Sequence, residues 1–370
     1  FTPNWIVKYM VQNSLGAQWL ATYPQSPLKG QMEYYIEPAE QTDEVNAQLA
    51  AITPRQLNPE ELTLIDPASG SGHILVEAYE LFKAIYLERG YQKRDVPQLI
   101  LEKNLFGLDI DERAAQLTGF ALMMKGRADD RQLFERGVKL NVMAVVDSTG
   151  FDAEGLAKGV ELSDYDLRPG DLTELKRLFE HATTFGSLIQ VPEELAAKLP
   201  ALKQLSEVTS QDLFVSEALK RLGPLVQQAE LLAAQYDAVV ANPPYMGSKY
   251  QTPRVKSFAK EQYPDAKGDL FACFIERGGY TLAKTDGRSA LVTMQSWMFL
   301  ASFRRLREQV LREKTITTMA QIGYNSFPSL NSKVAQATVF SMRASRVRGF
   351  RGTYWDLNSA PQSANKDEVF

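Results

Sequence analysis

The chain is short of the residues that build metal sites and covalent staples: 370 residues contain one cysteine, Cys273, and two histidines, His73 and His181. A single cysteine closes no internal disulfide, and neither histidine has a thiol or carboxylate cluster beside it, which argues against a structural zinc site or any metal centre. Long apolar runs are missing too. The run Tyr236 to Ala241 is interrupted by Asp237 and falls far below the roughly 18 residues that a membrane span takes, so neither a transmembrane nor a signal segment is expected. Charge of one sign is not in excess. With 41 Lys+Arg against 45 Asp+Glu the net charge is −4, which excludes coating of nucleic acid by bulk charge, so any polyanion must meet a local patch. What is present, 44% hydrophobic, 23% charged and 10% aromatic residues, is the composition of a folded globular protein long enough for two domains. The first residue is Phe1 rather than Met, and the sequence therefore reads as an excerpt of a longer protein.

Hydrophobic spacing predicts an α/β protein. Residues 4 to 20 place Ile6, Met10, Val11, Leu15 and Trp19 at helical intervals behind Thr2 and Pro3, a cap and first-turn signal. A polar stretch with prolines at 24, 27, 38, 54 and 59 leads to the short apolar run 62–66, read as a buried strand. A helix from His73 to about Arg89, a second from about Val96, a strand from Leu105 to Ile110, a helix over 111–127 and a strand over 138–146 follow. That order implies right-handed parallel crossovers in an open sheet. Between 149 and about 235 the pattern is helical throughout and reads as an insertion ahead of the strand Tyr236 to Ala241. After it come a helix holding Phe271, Phe274 and Ile275, a strand from Arg288 to Met294, a helix over 301–313 and strands near 315–322 and 334–342. From about Ser341 the pattern weakens, and the tail reads as a linker.

Three motifs carry chemistry. The first is Asp66-Pro-Ala68-Ser-Gly70-Ser-Gly72-His, a turn between a strand and a helix, where glycines permit close approach of a ligand to helix N–H groups and Asp66 ends the strand. The second is Gly107-Leu-Asp109-Ile110-Asp111, in which Asp109 is placed to accept hydrogen bonds from two ribose hydroxyls and Asp111 reads as a helix cap. Asp109 lies well past the roughly 20-residue spacing of a dinucleotide fingerprint, and Leu75 stands where its third glycine belongs, which disfavours a nicotinamide dehydrogenase. The third is Asn242-Pro243-Pro244-Tyr245, directly after an apolar strand. Two prolines fix a rigid loop without N–H donors. The Asn242 amide oxygen and the Pro243 carbonyl are then acceptors for the two hydrogens of an exocyclic amino group, while Tyr245 offers a flat face to its ring.

In this order the motifs resemble those of amino-group DNA methyltransferases that use S-adenosylmethionine. The resemblance runs from Phe1-Thr2-Pro3 through Gly268-Asp269-Leu270-Phe271 to Gly323-Tyr324-Asn-Ser-Phe327, nearly the whole chain. Within that class the Phe-Thr-Pro start, the long insertion and the wording LNVMAVVDSTG and NPPYMGSKY are most similar to the PglX family of adenine methyltransferases from bacteriophage-exclusion (BREX) systems. The resemblance implies a Rossmann-like class I fold, a mostly parallel sheet flanked by helices, in a prokaryotic cytoplasmic enzyme. It implies a helical segment over 1–60, a cofactor-binding half over 61–148, an insertion over 149–235, a catalytic half over 236–342, and a linker over 343–370 toward an absent target-recognition domain. Phe1, Thr2 and Pro3 would border the cofactor, with Thr2 near its carboxylate. Asp66, with Ala68, Gly70 and Gly72 in its turn, would meet the methionine end, Asp109 the ribose and Ile110 the adenine. Asp147 or Asn141 would contact the cofactor's amino group, with Asp147 preferred. Asp269 and Phe271 would complete the cofactor pocket beside Asn242, although Phe271 also fits a core stripe, and Phe327 or Tyr324 would face Tyr245 across the target base.

The implied reaction is methyl transfer to adenine N6 of a base flipped out of double-stranded DNA. Asn242 serves as hydrogen-bond acceptor rather than base, since an amide takes up no proton, and catalysis rests on positioning. Lys249, Arg254, Lys256 and Lys260 are candidates for phosphate contacts, and further subunits of a phage-defence complex are possible partners. Two other functions share the motifs: methylation of a protein glutamine amide, and a sensor or scaffold that binds S-adenosylmethionine without transfer.

Overall fold

The computed structural model describes residues 2–324, 327, 336–361 and 364–370. Its centre is one eight-stranded sheet in the order β3-β2-β1-β4-β5-β7-β6-β8. The strands are β1 (Leu64–Asp66), β2 (Leu105–Asp109), β3 (Asn141–Ala144), β4 (Tyr236–Ala241), β5 (Ala283–Met294), β6 (Thr315–Gly323), β7 (Ala337–Arg343) and β8 (Thr353–Asp356). Pairing is parallel for β1 with β2, β1 with β4, β4 with β5 and β6 with β8, and antiparallel where β7 sits between β5 and β6. All six residues of β4 are buried, as expected for a central strand of a largely parallel sheet covered on both faces. The expected Rossmann-like α/β architecture is what forms.

The helix expected from residue 4 is present, but it is not uniform. It runs as α-helix over Asn4–Val11, widens to a π-turn over Gln12–Gly16 and resumes as α-helix over Ala17–Thr22. The polar residues of the wide turn hold the neighbouring segment. Asn13 donates to the carbonyls of Tyr9 and Tyr34 and accepts from Ile36 N–H, and Gln12 accepts from Tyr34 N–H. Pro3, not Thr2, occupies the N-cap position, and no side chain caps this helix. The hydroxyl of Thr2 is used elsewhere.

The chain divides into two compact units. The first comprises 1–107, 114–142 and 235–370 and holds the core in which Trp5, Tyr9, Tyr79, Phe82 and Val240 are buried. The second comprises 108–113 and 143–234. It is built on helices that include Ala153–Gly159, Pro169–Leu178, Leu199–Ser206 and Leu213–Ala233, with Leu156, Leu172, Phe179, Leu202 and Leu222 inside.

The reading of 343–370 as a linker is corrected by the structure. Thr353–Asp356 adds to the sheet beside β6, and Phe370 packs its ring 5.5–5.7 Å from those of Trp5, Tyr9 and Trp355. The periodicity of this stretch was too short to read, because a four-residue edge strand leaves little pattern and the aromatic contacts are made far away in sequence.

Candidate active site

Every helix-linked parallel strand delivers its last residue to the same edge of the sheet, and there the loop Asn242 to Tyr245 leaves β4. Pro243 is buried and Pro244 exposed, so the loop is anchored by one proline. The Asn242 amide Nδ2 donates to Thr2 Oγ1 at 2.8 Å. That bond spends the donor end of the amide on the protein, and Oδ1 has no partner among the described residues. The amide is thus turned so that its acceptor is left for a ligand.

Tyr245 is held at both ends. Its hydroxyl donates to the Val292 carbonyl of β5 at 3.2 Å, and its ring meets Phe271 edge-on at 6.1 Å and 88°. Burial, with the nearby Asp269 carboxylate, pushes the phenol well above its ordinary range, so it stays protonated. The ring also lies 6.1 Å from Phe327 at 56°. The structure therefore brings together the two aromatics expected on either side of a base, but they touch. A base stacked between two rings needs about 7 Å, twice a van der Waals separation of about 3.5 Å. At 6.1 Å the pair is closer than that spacing.

Asp269 turns out to be a staple. It precedes the helix Leu270–Glu276, where its Oδ1 accepts from Phe271 N–H at 3.4 Å and, more closely, from Met246 N–H at 2.8 Å. A bridge between Gly247 and Asp269 and the bond from Ser248 N–H to the Gly268 carbonyl complete the clamp on the segment after Tyr245. Burial raises the Asp269 pKa, and the three backbone N–H bonds oppose it. Phe271 is buried between Tyr245 and Phe303, at 5.8 Å from the latter.

The glycine turn has the expected form. Asp66 is buried at the end of β1, paired in register with Gly107, and takes Ala68 N–H on Oδ1 at 3.1 Å. Gly70 and Gly72 both have positive φ, at 52° and 83°. They differ in surroundings. A Cβ on Gly70 would meet nothing within 4 Å, whereas one on Gly72 would press on Thr118 at 3.0 Å. Gly72 serves packing, and Gly70 faces open space, the cradle that a close-approaching ligand needs. The Thr118 hydroxyl donates to the Gly70 carbonyl at 2.9 Å and holds the turn. Pro3 lies at the start of the first helix, and Phe1 falls outside the described residues.

Asp109, Ile110 and Asp147 belong to the second unit. Asp109 ends β2 and its Oδ1 accepts from Asp111 N–H at 2.9 Å, while Asp111 caps the following helix through Arg113 N–H. Ile110 is 55% exposed, an apolar side chain left in the open beside a carboxylate. Asp147 already uses both oxygens on Thr183, one on its N–H and one on its hydroxyl. Asn141, in the first unit, donates to the Glu102 carbonyl.

Sequence reasoning did not anticipate three of these contributors. Thr2 was assigned to the cofactor, not to Asn242, because a bond across 240 positions leaves no local signal. Phe303 behind Phe271 was read only as part of a helix. Gly186, with φ 56° and a Cβ position 2.8 Å from Ile110, brings the insertion against that residue, and a single glycine in a helical stretch gives no hint of it.

Residues 103–327 match the family model of the Eco57I restriction-modification methylase. Over its full length the chain is 49% identical to the adenine-specific methyltransferase BrxX of Escherichia coli O9:H4 (strain HS), and 35% identical to the adenine-specific methyltransferase PglX of Lacticaseibacillus casei (strain Zhang). It spans about a third of the length of these relatives, 32% and 31%. Among solved structures it resembles a nuclease-deletion mutant of the Type ISP restriction-modification enzyme LlaGI in complex with a DNA substrate mimic, with a TM-score of 0.53 at 11% identity, over all of this chain and 25% of that one. The sheet order, the Asn-Pro-Pro-Tyr loop at its carboxyl edge and the match over residues 103–327 agree, and the chain belongs to the Eco57I restriction-modification methylase family.

Proposed function

We propose that this chain is the catalytic domain of a DNA adenine methyltransferase that moves a methyl group from S-adenosylmethionine to N6 of a flipped base, within a BREX-type phage-defence system. The observation that carries the reading is the Asn242 amide, fixed through Nδ2 by Thr2 with Oδ1 left as an acceptor beside the proline-rigid loop. The names of the relatives, both adenine-specific methyltransferases, support the choice of base.

S-adenosylmethionine supplies an electrophilic methyl on a sulfonium. The residues of the first unit fit its methionine end, with open space over Gly70 and a buried carboxylate at Asp66. Asp66 would hold the ammonium, the Gly70–Gly72 turn the methionine end, Asp109 the ribose and Ile110 the adenine. Asn242 Oδ1 and the Pro243 carbonyl accept the two N6 hydrogens, which draws the nitrogen toward tetrahedral geometry and frees its lone pair to point at the methyl carbon. Neither acceptor takes up the proton, which leaves N6 after transfer. The catalytic power is therefore orientation and preorganised acceptors. Tyr245, pinned at its hydroxyl by Val292 and clamped behind by Phe271, offers its free face to the base. Parting of Tyr245 and Phe327 accompanies base entry, and stacking worth about 1–3 kcal/mol offsets their lost contact.

The helix Pro253–Gln262 buries Val255 and Ala259 and leaves Arg254, Lys256 and Lys260 exposed. Together with exposed Lys249 and Tyr250 this makes a basic patch with an aromatic next to the catalytic loop, suited to phosphate contact without sequence readout.

The test is methyl transfer by the full-length protein, with its defence-complex subunits, on adenine-containing duplex DNA. Asn242→Ala is expected to lower kcat by about 10²–10³ while S-adenosylmethionine still binds, and Asp109→Ala is expected to weaken that binding. Label on a protein glutamine instead of DNA, or binding without transfer under every subunit combination, would refute the proposal.

A further inference from the structure

The first unit holds a second cavity, about 810 Å³ in volume, that none of the catalytic residues lines. Two arginines line it, Arg288 on β5 and Arg343 on β7. They are register partners across the β5–β7 ladder, so they project from the same face of the sheet. Arg288 pairs with Ala238 on its other side, and Leu291 with Ala241, the residue before Asn242. Three residues of strand, about 10 Å, thus separate the arginine level from the catalytic edge.

Both side chains are buried, at 7% and 5% exposure. Among the described residues neither makes a hydrogen bond or ion pair, and Arg343 Nε is buried without a partner. Burial, followed by the charge of Arg343, pulls Arg288 down to about 9. Two like charges side by side without a hydrogen-bonded acid are costly to hold in a protein interior, and an anionic ligand would offset that cost. The one acid that acts on Arg343, Asp286, does so without a hydrogen bond. Lys29 also lines the cavity, but its ammonium is paired with Glu37 at 2.8 Å. The remaining acids, Glu37, Glu40 and Asp43, are exposed. Because the arginines are buried and the acids exposed, the positive charge is offered to a group small enough to enter the cavity, such as a single oxyanion, and not to a nucleic-acid backbone. Leu20, Leu49 and Phe350 line the same space and suit an apolar body.

We propose that this cavity is a second ligand site, for a small molecule bearing a phosphate or carboxylate group, with Arg288 and Arg343 as a paired guanidinium clamp on its oxygens. The site is separate from the methyl-transfer machinery and does not depend on that assignment.

The experiment is thermal unfolding and calorimetric titration of the full-length protein with inorganic phosphate and pyrophosphate in one arm and succinate and acetate in the other, against chloride at equal ionic strength. A saturable rise in Tm with a matching binding isotherm is expected in at least one arm, and the arm that responds identifies the oxyanion. Arg288→Met and Arg343→Met are expected to lose the response and, with one buried charge fewer, to melt no lower than wild type without anion. Arg288→Lys keeps the charge but not the fork and is expected to bind at least tenfold more weakly. The proposal is overturned if wild type shows no saturable response in either arm, if the response survives both methionine variants, or if those variants melt lower while wild type ignores the anions.

Discussion

Removing one oxygen from Thr2 tests the catalytic geometry most sharply. Thr2→Val keeps the shape of the side chain and deletes the acceptor of the 2.8 Å bond from Asn242 Nδ2. Both residues are half-buried, and a neutral hydrogen bond of this kind is worth about 0.5–1.5 kcal/mol net. If that energy is spent on orienting Oδ1 for the transition state, its loss appears as about a 2- to 12-fold fall in kcat. KM for S-adenosylmethionine is expected to stay the same, because the hydroxyl is already engaged by the amide. Thr2→Ser is expected to restore most of the rate. In an Asn242→Ala background, Thr2→Val should add no further loss, since the two act as one unit. The assay is steady-state methyl transfer with the full-length protein and its partners at several cofactor concentrations. An unchanged kcat with a raised KM for S-adenosylmethionine would refute this reasoning and return Thr2 to the cofactor carboxylate, the role that the family resemblance alone assigns it.

Two further outcomes concern stability. Gly72→Ala combines a φ of 83° with a Cβ 3.0 Å from Thr118, and is expected to cost about 2–3 kcal/mol, more than Gly70→Ala, where only the backbone conformation is strained; urea unfolding of both, with equal losses, would contradict the distinction. Glu276 is pushed up to about 7 by burial and then by Asp265, and its Oε2 is buried without a partner among the described residues. The folded state then holds a proton that the unfolded state has released, so stability is full below about pH 4.5 and falls as pH rises toward 7. Solvent around this half-buried group limits the loss to no more than about 2 kcal/mol. Glu276→Gln is expected to flatten the slope, and an unchanged slope in that variant would exclude Glu276 as its source.

Most of the fold was legible because it is written in short-range patterns. The run at 236–241 is the strand β4 to the residue, and the helix at His73 begins where the glycine turn places it. The place of the Asn242-Pro243-Pro244-Tyr245 loop was legible for the same reason, since it is contiguous and follows β4 directly. The failures share a cause. The π-turn at Gln12–Gly16 has helical composition, and only the demands of Tyr34 and Ile36 N–H and C=O groups explain it. The tail reads as a linker because the contacts that order Phe370 come from Trp5, Tyr9 and Trp355, none of them its near neighbours in sequence.

The sequence by itself therefore determined the alternation of strands and helices, the helical stretch after the third strand, and the residue types on which the proposed function rests. Only the tertiary structure decided that Thr2 orients the Asn242 amide, that Asp269 clamps the loop, that Tyr245 and Phe327 touch, and that Arg288 and Arg343 line one cavity with no hydrogen-bonded acid among the described residues. Local patterns follow from backbone propensity and burial periodicity, which act over a few residues. The pairings just named join positions tens to hundreds of residues apart, and they exist only once the sheet has fixed which strand lies beside which.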